Sequence, residues 1–264
     1  MAAFAVMFDH RRLISSLASR EIQTAYKGSF FGFMWLIIQP VMLLSIYGFV
    51  FGFVLQARFG GDENSEVSYA LSLYLGLIVF FVFSESLTRA PSLVTGNVNF
   101  VKKVVFPVEI LPIVVLVGSV FRATVSFCVW LLCFLAVYGL PPITIFLVPL
   151  LFIPLCAFSL SIAWFFSALG VYFRDLAQTV GILSTATLFL SGIFYPLSLI
   201  PEEYRGLLYL SPVTSLVEQM RLVAIYGESI PVETYLLVTG ISLVCFFFSH
   251  RWFQLLRRGF SDVL

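Results

Sequence analysis

Residues 110–138 read ILPIVVLVGSVFRATVSFCVWLLCFLAVY, with one charged side chain, Arg122. Coiled as a helix at 1.5 Å per residue, the run is about 40 Å long, enough to cross a hydrocarbon core about 30 Å thick. Apolar and polar positions do not alternate with period two, so a barrel strand is excluded. This stretch decides the class: a helix that passes through a membrane. Arg122 stands about 18 Å along that helix, where a guanidinium costs several kcal/mol unless it is paired or faces water. Three readings of it stay open: a site for an anionic substrate group such as a phosphate, a structural partner to a backbone carbonyl, and a span whose true register puts Arg122 elsewhere.

The rest of the chain is of the same kind. Of 264 residues, 60% are hydrophobic and 11% charged, and the mean hydropathy is +1.03. A soluble domain has about 25% charged residues. Reading outward from 110–138 for long charge-free runs gives spans at about 33–55, 67–87, 143–173, 177–200 and 235–253, with Glu85 near one end of 67–87 and His250 near the end of 235–253. The predicted fold is therefore an all-α integral membrane domain over 1–264 with six transmembrane helices. The opening MAAFAVMF is apolar but short, and its charges follow it, so no cleavable signal is expected.

Orientation follows from Lys and Arg, which accumulate on the cytoplasmic side. With both termini cytoplasmic, eleven fall inside: Arg11, Arg12, Arg20, Lys27, Arg89, Lys102, Lys103, Arg174, Arg251, Arg257 and Arg258. Only Arg58, Arg205 and Arg221 fall outside, together with acids such as Asp62, Glu63, Glu202 and Glu203. A multi-pass membrane protein with both termini cytoplasmic is expected.

Two segments do not span. Residues 9–29 place Leu13, Ile14, Leu17, Ala18, Ile22 and Ala25 on one helical face, with Arg11, Arg12, Ser15, Ser19, Gln23 and Lys27 mostly elsewhere. That predicts an amphipathic helix on the cytoplasmic membrane surface, as an anchor or with a further role. Residues 201–234 are too polar to cross. Pro201, Glu202 and Glu203 predict a first helical turn, and Ser215 with Glu218 have capping-box spacing, with Gly227 as the stop. Two short re-entrant helices separated by Ser211-Pro212 are expected.

Catalytic chemistry is not evident. There is no phosphate loop, no Ser/His/Asp pattern and no metal-ligand spacing. The four cysteines lie in apolar runs and are expected to be small buried hydrophobes. His10 and His250, each beside an arginine at a membrane edge, are expected at the surface. A net charge of +1 gives no sign of a nucleic-acid partner. Glu85 and Arg89 have the i,i+4 order of an ion pair. Aromatics are abundant: Tyr47 and Phe51 share a face, Phe80, Phe81 and Phe83 cluster, and Phe194 and Tyr195 close the fifth span. They are either ordinary lipid-facing rings or the walls of a path for sugars, on which aromatic faces stack. The polar break NVNFVKKVVFPVEILP, 97–112, is expected to hold a short helix that stops near Val105, before Pro107.

Several motifs carry a resemblance. REIQTAYKGSFFGFMWLIIQP (Arg20–Pro40) resembles the opening motif of permease subunits of type-2 ABC exporters of polysaccharides, with Arg20, Glu21, Tyr26, Lys27, Ser29, Gly32, Trp35 and Pro40 in order. NFVKKVVFPVEILP resembles that family's cytoplasmic loop, Phe173-Arg174-Asp175 its FRD, and 192–227 its outer re-entrant region. Gly192 and Ser211 depart from the Pro and Asn common in O-antigen and teichoic acid exporters, a shift toward capsule exporters. The resemblance implies a homodimer docked on separately encoded ATPase subunits, which would bind ATP and Mg, this chain needing no cofactor. It implies a lipid-linked polysaccharide substrate, threaded outward at the dimer interface.

On that basis the surface helix and the 91–109 loop would contact the ATPase through Arg20, Tyr26, Asn97, Phe100, Lys102 and Lys103. Tyr47, Phe51, Phe81, Arg122, Phe194 and Tyr195 would line the channel, and Pro201, Glu202, Tyr204 and Tyr209 would shape the exit gate. The rivals are a type-2 ABC permease for a small hydrophobic drug or lipid, and an ATPase-independent transporter. The latter usually shows repeated broken helices or mid-membrane carboxylate pairs, which are not evident in this sequence.

Overall fold

The computed structural model describes residues 2–54, 66–102 and 106–264. Arg58, Asp62, Glu63, Lys103 and the helix stop expected near Val105 lie outside them. The chain opens with α1 (Ala2–Asp9) and α2 (Arg11–Tyr26), followed by α3 (Trp35–Tyr47), which loosens into a π-helical stretch at Gly48–Val54. Then come α4 (Glu66–Thr95), α5 (Val98–Lys102), α6 (Ile110–Tyr138), α7 (Val148–Tyr172) and α8 (Leu176–Leu190). The short α9 (Glu202–Tyr209) and α10 (Pro212–Arg221) precede α11 (Val232–Arg257) and α12 (Phe260–Val263). Among the described residues there is no strand, and the all-α class holds.

Among the described residues, five helical stretches are long and apolar enough to cross a membrane: Gly32–Val54, Tyr69–Thr95, Ile110–Tyr138, Ile143–Tyr172 and Val232–Arg257. They differ in place. In α4, 83% of the apolar window is buried inside the protein, against 11–33% in the other four; α3, α6, α7 and α8 pack around α4, and α11 packs on α7. Helix α4 meets α7 at very close range, where a β-carbon on Gly170 would stand 2.2 Å from the Pro91 carbonyl oxygen. Small residues that let backbones approach are the usual glue between helices in lipid. Helices α7 and α11 run parallel, because their contacts advance together. The Tyr235 hydroxyl donates to the Leu150 carbonyl at 3.2 Å, Trp164 packs on Phe246 at 5.2 Å, and the Tyr172 hydroxyl donates to the Leu256 carbonyl at 3.0 Å.

Several expectations are corrected. The second span does not end at 87. Helix α4 runs on through Pro91 to Thr95 because Leu93 and Val94 are buried, which outweighs the one backbone bond a proline removes. Glu85 is thus well inside the helix. The fifth span, expected to reach 200, stops at Leu190, and at 15 residues α8 is about 22 Å long, shorter than the other five apolar stretches. Gly192 takes φ +64, a left-handed turn that glycine tolerates best, and Pro196 cannot extend a helix. Phe194 and Tyr195 therefore lie in a turn.

Ser215 caps nothing. It sits inside α10, whose N-cap is Ser211, and its hydroxyl donates to the Tyr209 carbonyl at 2.7 Å. The proline at N1 already removes one donor that a cap would satisfy. Gly227 does end the following turn, with φ +72. His250 is buried against Trp164, ring centroids 4.8 Å apart, since α11 continues past it to Arg257. Of the cysteines, Cys133 and Cys156 are half-buried against the core, Cys245 is half-buried and Cys128 is exposed, because the outer faces of these helices are as apolar as the inner ones.

Candidate functional site

Three helices bring charge together inside the bundle. Glu85 and Arg89 lie one turn apart on α4, and Arg89 Nη1 is 3.1 Å from Glu85 Oε1. Arg89 Nη1 is also 2.5 Å from Oε1 of Glu21 on α2. Arg122 of α6 grips Glu85 with two bonds, Nε to Oε2 at 3.2 Å and Nη2 to Oε1. The depths agree: Glu85 is about 15 Å from the end of α4 and Arg122 about 18 Å from the start of α6. Two carboxylates and two guanidiniums give a neutral cluster, which offsets the cost of charge at this depth. Gly118 leaves the room, since a β-carbon there would meet Arg122 Nη2 at 3.3 Å and Glu21 Oε1 at 3.5 Å.

The cluster stands between two cavities. The larger, about 750 Å³, lies among α2, the end of α4, α5 and the start of α6, and is bordered by Arg20, Glu21, Tyr26, Asn97 and Phe100. The smaller, about 390 Å³, lies among α3, α4 and α6, and is lined by Gln39, Tyr74, Phe81, Ser84, Ser119 and Ser126, with Pro40 and Leu43 among its apolar walls. Tyr26, Glu85, Arg89 and Arg122 border both. The second cavity is unusual for a site between apolar helices, because hydroxyl and amide groups share it with aromatic rings.

The sequence-predicted residues fall into separate groups. Arg20, Tyr26, Asn97 and Phe100 converge on the larger cavity, and Arg122 meets them there. Lys102 ends α5. Phe81 belongs to the smaller cavity. Tyr47, Phe51 and Phe194 form a different cluster toward the other end of α4: Phe51 packs on Tyr47 at 6.2 Å, on Tyr69 at 5.4 Å and on Phe194 at 6.1 Å. Tyr195 turns away, its hydroxyl donating to the Phe189 carbonyl at 2.7 Å. Pro201, Glu202, Tyr204 and Tyr209 are exposed on α9 and its cap and border neither cavity.

Two charged residues carry roles that the pattern did not suggest. Arg221 is completely buried, and its guanidinium donates to the carbonyls of Gly192 at 2.9 Å, Ile193 at 2.8 Å and Ser72 at 3.2 Å. It ties α10 to the turn after α8 and to α4. The Tyr69 hydroxyl holds the next carbonyl of that turn, Phe194, at 2.5 Å. The only sequence signal was an arginine inside the otherwise apolar run 220–226. Glu109 is also buried, and accepts from Arg257 at 2.6 Å and Gln254 at 3.4 Å, while its carbonyl accepts from Trp164 at 3.0 Å. Nothing local to 109 pointed to partners at the far end of the chain.

The family model described as ABC-2 type transporter matches residues 12–225, a stretch that includes the ion cluster and both cavities. Over 259 residues the chain is 26% identical to the O-antigen export system permease protein RfbA of Myxococcus xanthus, covering 97% of this chain and 96% of that protein. It is 28% identical over 219 residues to a protein of the same name from Klebsiella pneumoniae, covering 81% and 80%. It is 27% identical over 213 residues to the polysialic acid transport protein KpsM of Escherichia coli, covering 79% of each.

Proposed function

The chain belongs to the ABC-2 type transporter family, and on that premise we propose that it is the membrane permease subunit of an exporter that moves a lipid-linked polysaccharide outward across the bacterial inner membrane. Two copies form the path. A separate ATPase subunit binds ATP and Mg and does the hydrolysis, while this chain supplies the conduit. Both termini face the cytoplasm, the side where Lys and Arg accumulate.

The observation that carries the mechanism is the cluster Glu21–Arg89–Glu85–Arg122 between the two cavities. It joins surface helix α2 to spans α4 and α6. A push on α2 from the cytoplasmic side reaches the middle of the bundle through it, and coupling needs such a physical chain of contacts. The charge of Arg122 is already matched by Glu85, so a free anion would have to displace a carboxylate. The hydroxyls and rings of the smaller cavity, Ser84, Ser119, Ser126, Tyr74 and Phe81, suit sugars better. At the other end, the turn at 191–195, clasped by Arg221 and Tyr69, is the element that has to shift for the chain to leave.

Replacing Phe100, Lys102 and Lys103 together by Ala tests the coupling. The expected result is normal insertion, continued ATP hydrolysis by the complex and a loss of surface polysaccharide. Unchanged export refutes the assignment. Co-purification with an ATPase subunit tests the partnership, and its absence from a functional complex favours an ATPase-independent transporter.

A further inference from the structure

Five residues cannot hold a helix by themselves in water, where isolated helices shorter than about 12 residues are marginal. Helix α5 has five, so its shape must come from what it rests on. One support is within its own segment, where Phe100 stacks on Phe106 at 4.5 Å. The other comes from the far end of the chain. Helix α12 packs against both α5 and α7. Its Phe260 is almost completely buried and meets Phe253 edge-on at 5.6 Å and Tyr172 at 6.2 Å. Arg257 and Gln254, just upstream, hold the Glu109 carboxylate at the other end of the same loop. The chain bends tightly between the two grips, at Gly259. A β-carbon there would stand 2.6 Å from the Tyr172 hydroxyl oxygen, the same hydroxyl that donates to Leu256.

We infer that the segment Gln254–Val263 is the platform that positions α5, with Phe260 as its anchor and Arg257 holding the start of α6 in register. These residues touch no ATPase themselves under this inference; they are positioning residues. Their importance for export rests on the reading of α5 as the ATPase contact, whereas the platform itself does not.

Hydrogen exchange on the purified full chain in detergent, without any ATPase, tests the platform alone. Phe260→Ala and Gly259→Ala should each speed exchange of the amides of 98–102 about tenfold, with the first half of α7, far from Tyr172, unchanged, since local opening reports local support. Adding Tyr172→Phe to Gly259→Ala removes the clashing oxygen and should restore protection. Wild-type exchange at 98–102 in the Gly259→Ala protein, or no recovery on adding Tyr172→Phe, overturns the inference. If Phe260→Ala fails to fold, the Gly259 pair still decides. Faster exchange at α5 combined with full export in cells leaves the platform standing and refutes α5 as the ATPase contact.

Discussion

The two single losses of the Arg122–Glu85 pair should together cost more than removing the pair whole. Arg122→Met leaves Glu85 with only Arg89, 3.1 Å away. Losing one member of a buried pair costs about 3–5 kcal/mol, mostly because the other charge is stranded. These side chains keep 23% and 26% of their surface exposed and border cavities, so water screening lowers the figure to about 2 kcal/mol. Glu85→Leu is worse. It strands Arg122 and takes one of the two carboxylates from Arg89, leaving Glu21 to serve both, at about 3 kcal/mol. The double variant, with apolar groups of similar bulk, should cost only about 2 kcal/mol, because no unmatched charge remains. The coupling energy is then about 3 kcal/mol. Thermal unfolding of the purified protein, followed through the emission of buried Trp130 and Trp164, reads each step as a few degrees, at about 2–4 °C per kcal/mol. Additive singles, with coupling under about 0.5 kcal/mol, would refute the pairing. If the cluster transmits motion from α2, the double variant should be stable yet poor at export.

Arg221→Leu should destabilise by about 3 kcal/mol or more, since three buried carbonyls lose their donors; Arg221→Lys should recover less than half, because an ammonium cannot present the planar fork, and the same melt measures both. Gly170→Ala should cost about 3 kcal/mol or abolish accumulation in the membrane, given the Pro91 backbone in its way. Gly240→Ala on α11, with nothing within 4 Å of the new carbon, should accumulate normally on an immunoblot of the same membranes. Tyr69→Phe should lower stability by about 1 kcal/mol through the lost bond to the Phe194 carbonyl, read from the shift in apparent Tm.

Parts of the candidate site were visible from sequence and parts were not. The Glu85–Arg89 pair follows from spacing along one helix. Tyr47 and Phe51 could be placed together for the same reason, and they do touch. The early end of α8 was missed because 177–200 is apolar almost throughout, and hydropathy does not register a positive φ at Gly192. The continuation of α4 through Pro91 was missed because a proline signals an ending, and only the packing against Gly170 and the burial of the last turn override it.

The sequence by itself determined the all-α membrane class, the approximate place of five of the long helices, the amphipathic α2 and the two short helices before α11. Those properties are local sums: hydropathy, helical period and proline or glycine punctuation act within one segment. Tertiary structure alone decided the long-range partners of the charges. Arg122 finds a carboxylate 37 residues away, Arg257 one 148 residues away, and Arg221 carbonyls 28, 29 and 149 residues away. In a medium without water, a charge must be matched by whatever the packing brings within about 3 Å, and which helix faces bring those groups together is a property of the whole bundle.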